Sequence, residues 1–586
     1  MMKNKRIFTI IICLILAIPV VLVGCGKQSE GVEEVTGSMK LPEVIESVNL
    51  DSDDSFVKYA DFKDRYLSVE GNPDGIIECP HYEVAVYDKN GNKYEVYSYS
   101  VSAVQSEVHS FGYFDCEESD FPLTVEIKTK KRTESAFVIP EKFGITPEVK
   151  DYLVKFAVKG FDDYNVLFNG KFNMELPYTI FVRKLAKYTV PAGYKTVDYD
   201  GSDGIIAVKS HTVLNFSAGL HYVDAMTFES DSAVHLEAGA YIIAKQPDFY
   251  TEAHVTNSSG NENWQAFFRA EGVKNVSVTG YGVIDFSEMY VHARHPLNFQ
   301  TSENIRVEGI TLIGAGAWNL LFTDCINVGV EGVKIFAYKI NSDGIALCNT
   351  KNGLVENCWI RSGDDLFEVK ATRGSAPLSG VGGKDIVFRH NQAWADKTRS
   401  FGFIQETEMD VSDILFEDCS SLLQAATWDE AMGSFLVVVG DGHEVKNVTF
   451  RNCDSYYNIG YVINVSVGPN QWTVSDLPTD AHNQESFGYI KNVRFENFTY
   501  YYDYSGEASF KGEDSYGNAV TKGKGINISL ADYNHAGVYG EAFRLQDVFF
   551  KNFVQDGKKV NSIEELPIIA KTKGVDYEKN NIQYEK

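Results

Sequence analysis

The sequence predicts an all-β protein: a right-handed parallel β-helix preceded by an N-terminal β-sandwich. Three observations carry that prediction. Tyr (33), Phe (37) and Gly (48) are abundant and Pro (15) is scarce in 586 residues, as in strands joined by tight turns. From about Asp198 a phrase of eleven residues recurs: Asn or Asp, then an apolar, a variable and an apolar residue, then a polar residue and Gly, Asn or Asp. Ahead of the repeats, short alternating runs are separated by turn residues. The chain is too long for one ordinary domain unless a repeat array takes up the length.

The first 25 residues read as an export signal. Lys3, Lys5 and Arg6 form a basic start, Ile7 to Val23 is nearly unbroken apolar sequence, and Leu22-Val23-Gly24-Cys25 follows. That ending resembles the lipobox of bacterial lipoproteins, which implies a lipid on Cys25 and a membrane-anchored or secreted protein outside the cytoplasm. Residues 26–55 are polar and acidic, the composition of a disordered tether. No later segment is long and apolar enough to span a bilayer. The formal net charge of −27 argues against nucleic acid and anionic polymers as partners.

Residues 56–195 are expected to form the sandwich. Tyr82 to Tyr87 and Lys93 to Tyr97 alternate on either side of Asp88-Lys89-Asn90-Gly91-Asn92, a hairpin signal. Further strands are expected at Leu123 to Lys128, Ala136 to Ile139, Tyr152 to Val158 and Tyr178 to Arg183. This part either contacts carbohydrate or caps and supports the repeats.

Residues 196–570 are expected to form the β-helix. The phrase begins at Asn275, Asn304, Asn327, Asn352, Asp385, Asp413, Asn447, Asn492 and Asp547, with spacings from 23 up to 45 and 55 where loops are inserted. Period-2 apolar alternation at such a repeat marks a solenoid whose coils bury their apolar faces only by stacking. Leucine-rich repeats are excluded by the missing LxxLxL spacing. Cys325, Cys358, Cys419 and Cys453 each follow Asp or Asn, the pattern of buried thiols in successive coils. Cys79 and Cys116 have the option of pairing. No CxxC or His cluster has metal-ligand spacing, and no metal or cofactor is expected. The polar segment Gln246 to Gln265 is placed as a loop over a cleft.

The chemistry is concentrated in Asn341 to Lys370. Asp343 lies in Asn341-Ser342-Asp343-Gly344, and Asp364-Asp365 follow Gly363. Asp343 and Asp364 are 21 positions apart, about one coil. Stacked coils lie roughly 4.8 Å apart, so the three acids meet on one surface. Crowded carboxylates cannot all ionise, so one keeps a proton for a leaving oxygen while another activates water. Strict alternation sends Asp364 and Asp365 to opposite faces, so a kink or bulge is expected at Gly363.

These motifs resemble the Asn-Thr-Asp-Gly and Asp-Asp motifs of glycoside hydrolase family 28, the polygalacturonase type, over roughly Thr196 to Val465. A sandwich before the helix is more similar to family 49, which contains dextranase and isopullulanase. The resemblance implies Asp364 as general acid, Asp343 and Asp365 as activators of water, and inversion, with acid and base about 6.5–9.5 Å apart. Two departures concern substrate. The family's Gly-His-Gly has no His here, where the chain reads Thr398-Arg399-Ser400-Phe401-Gly402. Its Arg-Ile-Lys strand, which grips a substrate carboxylate, is the apolar Ser434-Phe435-Leu436-Val437-Val438-Val439. A neutral poly- or oligosaccharide, dextranase-like, is therefore expected. A polygalacturonase, a lyase or a non-catalytic glycan-binding lipoprotein are the alternatives. Lys370, Arg399, Trp318 and Trp394 are the candidate substrate-binding residues. Lys370 and Arg399 have holding the acids' charge state as a second role, and His292 to His295 a place along a subsite. A monomer with a carbohydrate substrate and a membrane contact is expected.

Overall fold

The computed structural model describes residues 36–42, 76–103, 108–174, 176–185, 187–245, 266–289, 294–425, 432–468, 488–501, 528–532, 543–570 and 574–585. Among them every helical piece is a three-residue 3₁₀ turn, and the rest of the regular structure is strand. The signal segment with Cys25, the loop at 246–265, His292, Trp264, Trp428 and Trp472 lie outside the described residues.

Two sheets make the sandwich. One runs, neighbour to neighbour, Ile77–Glu78, Ser98–Ser102, Val108–Cys116, Tyr178–Lys184, Asp162–Phe168 and Ala136–Ile139. The other runs Lys93–Val96, Tyr82–Tyr87, Leu123–Thr129, Leu153–Val158 and Glu148–Lys150. The expected hairpin pairs Val84 with Val96 and Tyr87 with Lys93. Its turn is tied by Asp88 Oδ1, which accepts from the Asn90 and Asn92 amides at 2.8 and 2.9 Å. Cys79 and Cys116 are free thiols.

From Lys195 the chain winds as a right-handed parallel β-helix. A typical coil gives Ile345–Cys348 to a 12-stranded sheet, then Thr350–Glu356 and Trp359–Ser362 to a 23-stranded sheet that covers two faces. The recurring phrase now has a cause. Its first residues, from Asn275 to Asp547, all have φ between 56° and 63°, a left-handed turn that Asn and Asp tolerate best. Their side chains form a ladder along the solenoid: Asn304 Nδ2 donates to Asn275 Oδ1 at 2.8 Å, Asn327 to Asn304 at 2.8 Å and Asn352 to Asn327 at 2.6 Å. The apolar positions behind them are buried, and Phe388, Phe416, Phe450 and Phe495 stack at 4.7–4.9 Å inside. Cys325, Cys358, Cys419 and Cys453 are buried free thiols in that core, each after a left-handed Asp or Asn.

The sandwich covers one face of the solenoid. Tyr99, Phe111, Tyr113, Leu167 and Phe181 pack on Tyr241, Val283, Ile313, Phe336, Trp359 and Trp394, and Phe111 stacks on Phe336 at 4.5 Å. This corrects two expectations. Trp394, expected to touch sugar, is fully buried in the seam, because its strand Gln392–Ala395 belongs to the face that the sandwich covers. Residues 36–42, expected to be tether, are held against the sandwich: Gly37 bridges to Asp115, and the Leu41 amide donates to Tyr99 Oη at 2.8 Å. Met39 and Leu41 are apolar enough to join the seam.

His390 clasps the rim of the seam. Its Nε2 lies 2.8 Å from Asp162 Oδ2 of the sandwich and its Nδ1 2.6 Å from Asp418 Oδ2 of the solenoid. Hydrogen bonds to Asp162 and Asp418 raise its pKa from 6.5 to about 10 against the opposing effect of burial. A raised pKa stabilises the fold fully below the unfolded value, and that stabilisation is lost as pH rises through the folded one. The thermal midpoint of His390→Gln should therefore lie furthest below that of the unaltered chain near pH 6. The two should converge as pH passes about 10. A gap that stays constant over that range contradicts a charged clasp.

Candidate active site

Backbone hydrogen bonds place one row of residues on successive coils. The Asn319 amide donates to Asp343 O at 2.8 Å, Gly344 to Asp365 O at 2.7 Å, and Leu366 to Arg399 O at 3.0 Å. The strands that come next keep this register, Leu320 beside Ile345, Phe367 and Phe401. Trp318, Asp343, Asp365 and Arg399 are thus equivalent positions. Asp343 pairs with Asp365, 22 residues on, where the sequence spacing pointed to Asp364. The coils approach so closely here that a Cβ on Gly344 would lie 2.4 Å from Leu366 O.

Asp364 and Asp365 do not lie in a strand. The strand ends at Ser362 and the next begins at Phe367, so the pair sits in the turn between them and alternation does not apply. Gly363 permits the turn, since a Cβ there would lie 2.9 Å from the carbonyls of Tyr338 and Lys339. Asp364 is half-buried, with Oδ2 accepting from the Asn341 amide and Oδ1 from the Asp365 amide, both at 3.0 Å. Asp343 and Asp365 are buried. One oxygen from each of the three carboxylates lies within 4.8 Å of the others, closer than the 6.5–9.5 Å expected between acid and base.

Two cations sit beneath the acids. Arg399 Nη1 donates to both Asp365 oxygens at 3.1 and 2.9 Å. Lys370 Nζ lies 3.4 Å from Asp343 Oδ2, 3.8 Å from Asp365 Oδ2, 3.0 Å from Glu368 Oε2 and 3.9 Å from Glu406 Oε1. It also lies 4.3 Å from the centre of the Trp318 ring. Lys370 and Arg399 are 4% and 3% exposed, so they hold carboxylates and do not face a sugar. Trp318 remains half-exposed at the edge of the site, with His295 beside it at 6.3 Å. Arg294 is buried and donates to the Asp224 and Lys245 carbonyls.

Negative charge exceeds positive charge here, and proton affinities respond. Burial, then repulsion from Asp365, lifts Asp364 to about 6. Burial, then Asp364 and Glu368, raises Asp343 well above the carboxylate range. Repulsion from Asp364 is among the causes at Asp343, so ionising both together is unfavourable. Burial brings Glu368 to about 8, and Glu406 is raised by burial as well. Burial lowers Lys370, but Glu368, Glu406, Asp343 and Asp365 outweigh it and raise its pKa well above the ordinary value. Lys397, one residue after Asp396, is buried and brought down to about 7 by that burial, with Asp364 and Asp396 opposing. Asp343 Oδ1 is buried with no hydrogen-bond donor among the described residues. One oxygen of each Asp is close enough to the others to share a metal ion, and Lys370 and Arg399 already lie against Asp343 and Asp365.

Sequence reasoning missed Glu368, Glu406 and Lys397. Glu368 was readable: Phe367 and Val369 point into the core, so Glu368 and Lys370 share the opposite face with the acids. Glu406 follows a register shift between Val369 and Ala371 and had no such signal. The outward row beyond Glu368 continues through Gly402, Leu436, Asn464 and Ser529 and carries no cation.

Part of the chain is similar to known proteins. Residues 215–420 match the family model for glycosyl hydrolases family 28. The matched residues include all three acids, Glu368, Lys370, Arg399 and Glu406. The chain is 26% identical over 150 residues to a polygalacturonase of Chamaecyparis obtusa, covering 25% of this chain and 28% of that protein. It is 27% identical over 153 residues to a probable polygalacturonase of Vitis vinifera, covering 26% and 30%. The chain thus spans less than a third of the length of either relative. Across 89% of this chain and 96% of the other, the fold matches Dex49A from Penicillium minioluteum with a TM-score of 0.53 at 10% identity.

Proposed function

We propose that this chain is a glycoside hydrolase that cuts a neutral poly- or oligosaccharide with three Asp. The observation that carries this is the acid cluster: three carboxylates on two adjacent coils, one half-buried at the surface of the cluster and one fixed by an arginine. Asp364 is the general acid. It is the most exposed of the three and its pKa is raised to about 6, so it is the one that meets a leaving oxygen while still holding a proton. Asp365 keeps both oxygens on Arg399, and Asp343 Oδ1 is the acceptor left for a water. Inversion is the expected outcome, because a carboxylate pinned on both oxygens does not swing to an anomeric carbon. The close spacing of the acids is nearer the roughly 5–5.5 Å of double displacement, so the anomer first formed, read by proton NMR, decides.

Gly402, Leu436, Asn464 and Ser529, the outward row on the coils after Glu368, carry no cation, which supports a neutral substrate, whereas the curated relatives are polygalacturonases. Arg269, four coils before Glu368 in the same row, is paired with Glu271. Reducing-end release from dextran and other neutral glycans, with none from polygalacturonate, is the expected result. The reverse preference overturns the substrate reading and keeps the reaction. Binding without release on every glycan overturns the reaction. Because the acid must be protonated, kcat/KM should fall as pH rises through about 6. We also propose that Cys25 carries a lipid. Labelled palmitate should enter the chain when it is expressed in a bacterium and should fail to enter Cys25→Ser; labelling of both contradicts the anchor.

A further inference from the structure

We propose that the N-terminal sandwich positions the catalytic turn at residues 396–400 through a buried chain running His109–Arg361–Asp396. The proposal rests on the reading that Asp365 acts in the reaction. Arg361 Nε and Nη2 donate to Asp396 Oδ2 and Oδ1 at 2.8 and 2.9 Å. Its Nη1 lies 3.1 Å from Nδ1 of His109, which belongs to the sandwich strand Val108–Cys116. Arg361, Asp396 and His109 are all buried.

One tautomer of His109 satisfies every partner. A guanidinium only donates, so Nδ1 accepts. Nε2–H then donates to Thr179 Oγ1 at 2.8 Å. The Thr179 hydroxyl donates to Asn165 Oδ1 at 2.8 Å, and the same oxygen accepts from Trp359 Nε1 at 2.9 Å. The ring stands 5.0 Å from that of Trp359 and 5.1 Å from that of Trp394, so it is walled in by the seam. Burial and the neighbouring Arg361 keep it neutral, as acceptance at Nδ1 requires.

What the chain holds is the spacing of two turns. Arg361 is two residues before Gly363-Asp364-Asp365, and Asp396 is three before Arg399. The Asp396 amide donates to Ser362 O at 3.2 Å, Leu366 to Arg399 O and Phe367 to Ser400 O, both at 3.0 Å. The ion pair between Arg399 and Asp365 closes the same two turns from the cleft side. Loss of His109 removes one acceptor from a buried guanidinium, and the two turns are what it spans. The sandwich residues are therefore positioning residues that act through Arg361.

The test uses His109→Leu and Thr179→Val in the full chain, with steady-state kinetics and amide hydrogen exchange. In His109→Leu, kcat should fall by about 10²-fold, the scale of a small misplacement in a catalytic site. KM should stay within about threefold, because ground-state contacts are untouched. Exchange at Leu366 and Phe367 should quicken while the strand at 444–451 stays protected. Thr179→Val should move the same readouts in the same direction by less, and it decides alone if His109→Leu does not fold. Unchanged kcat and unchanged exchange at Leu366 and Phe367 overturn the proposal. So does exchange that quickens equally in both segments, which is the signature of general destabilisation. If the unaltered chain cleaves no glycan, the hydrolase reading fails and exchange alone decides the coupling.

Discussion

Asp364→Asn lowers kcat on an unactivated glycan by about 10²–10⁴-fold, the range for loss of a general acid. The substitution is nearly isosteric, and the position is half-exposed, so the fold should survive. Only one of the two amides that Asp364 accepts, from Asn341 and from Asp365, then faces an NH₂ group. Two secondary results separate this role from simple misfolding. An aryl glycoside with a good leaving group should be cleaved by the variant at a rate closer to that of the unaltered chain, because its leaving oxygen needs no proton. The fall in kcat/KM through about pH 6 should flatten, since the group responsible is gone. A variant that keeps its rate on unactivated substrate removes Asp364 from the mechanism.

Arg399→Gln has the second largest expected effect, and it acts on both stability and rate. Arg399 and Asp365 are both buried, with contacts of 3.1 and 2.9 Å. Removing one partner of such a pair costs about 3–5 kcal/mol, because the other charge is left uncompensated. Lys370, 3.8 Å from Asp365, remains beside it. Asp365 is no longer held on both oxygens, so its aim at the reacting water is lost and kcat should fall by about 10²-fold. Unfolding midpoints in urea report the first effect and kcat the second. A variant with unchanged midpoint and kcat shows that Arg399 does not hold Asp365 in place.

The solenoid was legible because its repeat has a local cause. A left-handed turn needs Asn or Asp, and buried strands need alternating apolar residues, so Asn304, Asn327 and Asn352 announce their coils without any long-range information. The acids were legible as a group for the same reason. Their partners were less so. Asp343 was matched to Asp364 by counting residues, whereas the register pairs it with Asp365, because the turns between the strands differ in length from coil to coil and a fixed spacing does not track them. Lys370 and Arg399 were expected either at a sugar or holding the acids' charge state; sequence does not show depth, and both lie under the carboxylates, which fits the second role. Trp394 failed for another reason: which face of a coil meets the sandwich is a tertiary fact. His109, whose neighbours Arg361 and Trp359 lie some 250 residues away, had no local signal at all.

Hydrolysis in ¹⁸O-water is the most direct test of the central claim. Digestion of a susceptible glycan should place one ¹⁸O atom at each new reducing end, detected by mass spectrometry, and Asp364→Asn should place almost none. Products carrying a double bond and no ¹⁸O would mean elimination, and the three acids would not be doing acid–base hydrolysis. Incorporation that persists undiminished in Asp364→Asn would mean that the bond is cut elsewhere on the chain.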